Sequence, residues 1–181
     1  INNTTIQGNV VTFDANGNAA YSTPQNLTTG IGQITRVHAC KYADNKVCMF
    51  FLIAAIRSLC IEIDPVTNAL TLGTVGTIAN TSSSYTSPIC AYISDNRVLL
   101  SYGYTGSNGT VYAALVSISG LATTVLATGS YNNKGMAFQG SLAKLSSTKF
   151  ILAAYSTYTA PNSLSLFGIT VGESSASITL L

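Results

Sequence analysis

The feature that most constrains this chain is a phrase it repeats at an interval of about 50 residues. Residues 39–51, 90–102 and 142–155 each read apolar, then polar turn, then apolar. The turn Asp44-Asn45-Lys46 recurs as Asp95-Asn96-Arg97 and, more loosely, as Ser147-Thr148-Lys149. Asp and Asn bond their own backbone and favour tight turns, and the basic residue then opens the following strand. A second phrase follows each time. Residues 59–72, 114–126 and 166–180 alternate apolar and polar positions on both sides of a turn, which predicts a hairpin. Residues 9–21 have the form of this second phrase, with the turn at 15–18.

One all-β domain over 1–181 is therefore expected, with a half repeat to about residue 31 and whole repeats over 32–82, 83–132 and 133–181. Four strands per unit predict a propeller-like array of four-stranded antiparallel blades. A β-sandwich is the alternative, because short alternating strands also build that. An ordinary ring holds roughly four to eight blades, so closure is expected from another copy or from the remainder of a longer chain. Ile1 follows no initiator Met or leader pattern, the form expected of a processed or trimmed fragment.

Composition agrees with strands. Only 8% of residues are charged, against roughly 25% in typical soluble proteins. Helices dress their exposed faces in Glu, Lys and Arg, whereas Thr, Val, Ile and Tyr suit a pleated surface. The formal charge of +2 is spread over isolated residues, with Lys41 and Lys46 the nearest to a cluster. Neither nucleic acid nor an anionic membrane is an expected partner. The apolar run over 47–56 is too short to cross a bilayer, so no membrane insertion is expected.

Catalytic and metal chemistry find little support. His38 is the single histidine. A pair with Cys40 on one strand face lacks a third group, and a satisfied histidine at a strand edge is the simpler reading. Asp14, Asp44, Asp64 and Asp95 fall at turns, where aspartate usually bonds its own backbone. Glu62 and Asp64 share a strand face without the spacing of a glycosidase pair. Residues 14–18 hold ingredients of a calcium loop but lack its terminal acid, and a turn on Asn16-Gly17 explains them. Gly30 and Gly32 precede neither a helix nor a Lys and so form no phosphate loop. Cys40, Cys48, Cys60 and Cys90 show no zinc spacing and read as buried free thiols, with disulfides as the alternative. A non-enzymatic protein without metal or cofactor is expected.

Aromatic loops are the better candidates for binding. Tyr102, Tyr104 and Asn108 follow one strand phrase, and Tyr155, Tyr158 and Asn162 follow the next. In a propeller the two loops would emerge on one face. Tyrosine offers a flat apolar ring and a hydroxyl at small entropic cost, and neighbouring Asn, Ser and Thr can bond a hydroxyl-rich ligand. Packing between blades is the competing role for Tyr102 and Tyr155.

The wording of residues 90–102 and 115–120, echoed over 142–180, resembles the degenerate propeller repeats of phage and other viral spike or tail proteins and of bacterial surface proteins. The resemblance runs from about residue 32 onward. In the first whole unit Ala54-Ala55-Ile56-Arg57 replaces the later Gly- and Ser-rich loop. The resemblance implies a recognition module on a virion surface or outside the cell, binding a host-surface glycan or protein receptor. A structural virion or assembly protein making subunit contacts, and a secreted lectin-like propeller, are the alternatives. A homo-oligomer is expected.

Overall fold

Period-two patterning becomes strand throughout. The structure, a computed structural model, describes residues 5–28, 32–80, 85–104, 109–132, 136–156 and 163–181. Among these residues there are seventeen strands and no helix, hence no helix long and apolar enough to cross a membrane. At the N-terminus β1 (Ile6–Gly8) pairs with β4 (Gln25–Thr28), and β2 (Val11–Phe13) with β3 (Ala19–Tyr21), all antiparallel. Ser22 ties the two pairings into one interrupted hairpin: its N–H donates to Val10 O at 2.9 Å, and its Oγ accepts from Val10 N–H at 2.8 Å.

Three larger antiparallel sheets follow. The first contains β5 (Arg36–Ala43), β6 (Lys46–Leu52), β7 (Ile56–Ile63), β8 (Leu70–Leu72) and β9 (Gly76–Ala79). Both β8 and β9 pair with β7, at Ile61–Ile63 and at 56–58, so they are two halves of one interrupted fourth strand. The second is a meander of β10 (Ile89–Ser94), β11 (Arg97–Tyr104), β12 (Thr110–Ser119) and β13 (Ala122–Asn132). The third repeats that meander with β14 (Met136–Lys144), β15 (Lys149–Ser156), β16 (Ser163–Val171) and β17 (Ala176–Leu180).

The turn phrase does one job three times. Lys46, Arg97 and Lys149 each open the second strand of their sheet. Asn45 and Asn96 adopt left-handed φ values of 55° and 61°, which Asn tolerates better than most residues. The carbonyls of Asn45, Asn96 and Thr148 accept the N–H groups of Ile63, Ile118 and Val171 at 2.8, 2.8 and 2.9 Å. Each turn is thereby pinned to the end of the third strand.

The sheets stack face to face. Leu27 of the hairpin packs with Met49, Phe51, Leu59 and Ile61 on one face of the first sheet. Phe50, Leu52 and Ile56 on its other face meet Val98, Leu100 and Val116 of the second. Leu99, Val111 and Leu115 of the second meet Phe150, Phe167 and Ile169 of the third. Like strands lie together: β5, β10 and β14 along one side, and β9, β13 and β17 along the other. Phe50, Phe51, Phe150 and Phe167 are fully buried, each worth roughly 1.5–3 kcal/mol. Close approach requires Gly129, where a Cβ would lie 2.5 Å from Ala176 O. Among the described residues no sheet closes on itself and no ring is completed.

Candidate functional site

The first strands β5, β10 and β14 are edge strands among the described residues, each paired on one side only. Each leaves one backbone edge without a strand partner among the described residues; on the β10 edge Cys90 N–H meets His38 and Ile93 O meets Lys144. The start of β5, the residues leading into β10 and the middle of β14 come together in a cleft of about 350 Å³, within the range of small-ligand sites. Arg36, Val37 and His38 line it from the first sheet, Ser87, Pro88 and Ile89 from the second, and Gly140 from the third. A Cβ on Gly140 would lie 2.8 Å from Ile89 Cδ1 and 2.9 Å from Ala153 O, so a residue without a side chain is needed here. Pro88 donates no N–H, which suits an unpaired edge.

The lining carries one permanent cation, the exposed Arg36, and no carboxylate. His38 is half-buried, and its partner is in the second sheet. The Cys90 N–H donates to His38 Nδ1 at 3.2 Å, which makes Nδ1 the acceptor and leaves Nε2 as the ring's donor. The Cys90 thiol lies 3.1 Å from the same Nδ1. Burial holds the His38 pKa below its ordinary value, so the ring is neutral near pH 7. The contemplated His38–Cys40 pairing is replaced by this contact across the sheets.

Residues 85–89 join the cleft to an aromatic cluster. Thr86 N–H donates to Gly103 O at 2.9 Å, and Gly103 N–H donates to Thr86 Oγ1 at 2.9 Å. Tyr85 bridges to Tyr104, with ring centroids 5.7 Å apart. Tyr85 also meets Tyr102 edge to face at 5.6 Å, and Tyr102 stacks on Tyr112 at 5.1 Å. Tyr85, Tyr104 and Tyr112 are half-buried, whereas Tyr102 is buried in the core. Burial pushes the phenol of Tyr102 well above its ordinary range and that of Tyr85 upward.

The two tyrosine phrases are not equivalent as expected. Tyr102 stands five residues after Arg97 and Tyr155 six after Lys149. One residue reverses the side of a strand. Tyr102 therefore packs toward the first sheet, while Tyr155 is exposed on the outer face of the third, opposite Leu164. Asn108, Tyr158 and Asn162 lie outside the described residues.

Asp14 and Asp64 serve their own backbone, whereas Asp44 Oδ1 pairs with Lys41 Nζ at 2.6 Å and Asp95 Oδ1 accepts from the Tyr92 hydroxyl at 3.0 Å. Asp14 Oδ1 accepts from the N–H groups of Asn16 and Asn18 at 2.8 and 2.9 Å, and Oδ2 from Asn18 Nδ2 at 2.9 Å. Those bonds, the Asn18 side chain foremost, hold its pKa below the ordinary value. Asp64 Oδ1 accepts from Val66 and Thr67 N–H at 2.8 Å each. Glu62 lies 3.3 Å from Lys46 in an ion pair. The four cysteines are free, and no three His, Cys, Asp or Glu among the described residues are placed to hold a metal.

The cleft escapes a reading along the chain because its lining is distributed over three strands. The one signal is alignment of the repeats, which sets 36–38 beside 87–89 as starts of equivalent strands. In comparisons with known proteins, no family model, no curated protein and no solved structure matches the chain.

Proposed function

We propose that this chain is a non-enzymatic recognition module that takes a hydroxyl-rich ligand, a host-surface glycan, at the cleft of the three first strands. The observation that carries this reading is the joining of that cleft to the tyrosine cluster by residues 85–89. Arg36 supplies a charge-assisted donor, neutral His38 supplies Nε2–H, and the edge strands supply backbone donors and acceptors. Tyr85 and Tyr104 offer ring faces that stack on the apolar side of a sugar. A cation with no carboxylate in the lining favours sugars that carry an acid group.

The stacking of like strands supports a propeller-like arrangement, in which β5, β10 and β14 would line the axis and the cleft would open at one end of it. A place on a virion or another extracellular surface follows from the recognition role. Binding to a glycan array and to host cells tests the reading, with Arg36→Ala and Tyr104→Ala beside the parent chain. Loss in both variants supports it, and undiminished binding in both removes the cleft from consideration. The second reading, assembly with neighbouring subunits, is favoured by the exposed apolar face of the third sheet.

A further inference from the structure

The three sheets use the same positions for their forward faces. Counting from the basic residue that opens each second strand, positions two, four and six are Cys48, Phe50 and Leu52 in the first sheet. In the second they are Leu99, Ser101 and Gly103, and in the third Ile151, Ala153 and Tyr155. Pairing sets Ile56, Ser58 and Cys60 beside the first set, Val111, Ala113 and Leu115 beside the second, and Leu164, Leu166 and Gly168 beside the third.

In the first sheet this face is buried against the second sheet, and in the second it is buried against the third. In the third it is open. Leu164 is 70% exposed, and Leu166 and Tyr155 are 43% exposed each. At the opposite end of the stack the hairpin presents Phe13 and Tyr21, each 70% exposed, beside Val11. Val11 lies opposite Tyr21, so these side chains share one hairpin face. Contiguous exposed apolar faces of this kind mark interaction surfaces.

We infer that the outer face of the third sheet docks a second copy of this chain, receiving its N-terminal hairpin at Val11, Phe13 and Tyr21. Two observations favour that occupant. The open face continues an interface the stack already makes twice, and a matching apolar surface stands at the other end of the same molecule. Neither set of side chains includes a carboxylate, so no like-charge repulsion between them opposes the contact. The association is head to tail, and it either closes a ring or propagates.

Sedimentation and light scattering of the intact chain test this. The parent chain is expected to show a mass of two or more copies that rises with concentration. Leu164→Asp/Leu166→Asp, which spoils only the sheet face, should sediment as one copy with unchanged far-ultraviolet circular dichroism. Phe13→Asp/Tyr21→Asp, which spoils only the hairpin face, should do the same. Mixed, the two variants retain one good surface each and should form a complex of two chains. Should the leucine variant misfold, Tyr155→Lys replaces it. A parent chain that remains single at its highest soluble concentration overturns the inference, because the face is then covered by something else or by nothing. Two single-copy variants that fail to pair on mixing overturn the head-to-tail geometry. Glycan binding by the separated single copies is a different readout, so the two proposals fail independently.

Discussion

Cys48 and Cys60 stand directly opposite one another on β6 and β7, with Sγ atoms 2.9 Å apart in the layer between the first and second sheets. Both are fully buried. The hydrogen bond with Cys60, and then burial, pushes the Cys48 thiol far above its ordinary range. Burial shuts both sulfurs off from an alkylating agent in the folded chain, and the raised Cys48 thiol is in addition far from the reactive thiolate form. Iodoacetamide followed by peptide mass spectrometry should label half-buried Cys40 first. Cys48 and Cys60 should react only after denaturation, and rapid labelling of both in the native state would contradict this packing.

His38 makes stability depend on pH. Its folded pKa is lowered by burial, and the groups facing its ring nitrogen are the backbone and thiol of Cys90. A lowered folded pKa means that the unfolded chain binds the proton more readily. The stabilisation is complete above the unfolded value of about 6.5 and is lost as pH falls through the lower folded value. Thermal melts should therefore show the midpoint falling below about pH 6.5. His38→Gln should flatten that part of the profile relative to the parent.

Much of the fold was legible in the chain because its signals are local. An Asp-Asn-basic turn declares itself within three residues, and alternation declares a strand within six. Two features were not. The offset of one residue that sends Tyr102 inward and Tyr155 outward is invisible until the strands are in register, since both follow similar apolar runs. The cleft was hidden for another reason: Arg36, Ser87 and Gly140 are remote in sequence and meet only because three first strands lie side by side. Side-chain chemistry had pointed to tyrosine loops, whereas the concave surface is built from strand edges.

Gly129 tests how tightly the second and third sheets are pressed together. Its absent side chain leaves room for the backbone of Ala176, and a Cβ would also lie 3.2 Å from Ser177 Cα. Backbone cannot swing aside as a flexible side chain can. Gly129→Ala should cost about 1–3 kcal/mol by overpacking, read as a lower urea midpoint with an unchanged slope. Gly120 supplies the contrast, for it has φ +59° and nothing within 4 Å of where a Cβ would stand. There Gly120→Asn should be tolerated far better than Gly120→Val, because the penalty is backbone strain rather than collision.

Asn96 carries the turn on which the second sheet depends, and three demands converge on it. Its φ of 61° is left-handed, its N–H donates to Tyr42 O in the first sheet at 3.0 Å, and its carbonyl accepts Ile118 N–H at 2.8 Å. The last two involve backbone alone and survive any substitution that keeps the conformation. The first does not. Asn96→Gly should leave stability nearly unchanged, since glycine enters this region freely. Asn96→Val should cost about 1–3 kcal/mol, because a β-branched side chain is strained there. If denaturant melts placed the Val and Gly variants together, the turn would not be held in the left-handed conformation, and the link between the first and second sheets through Tyr42 would need another explanation.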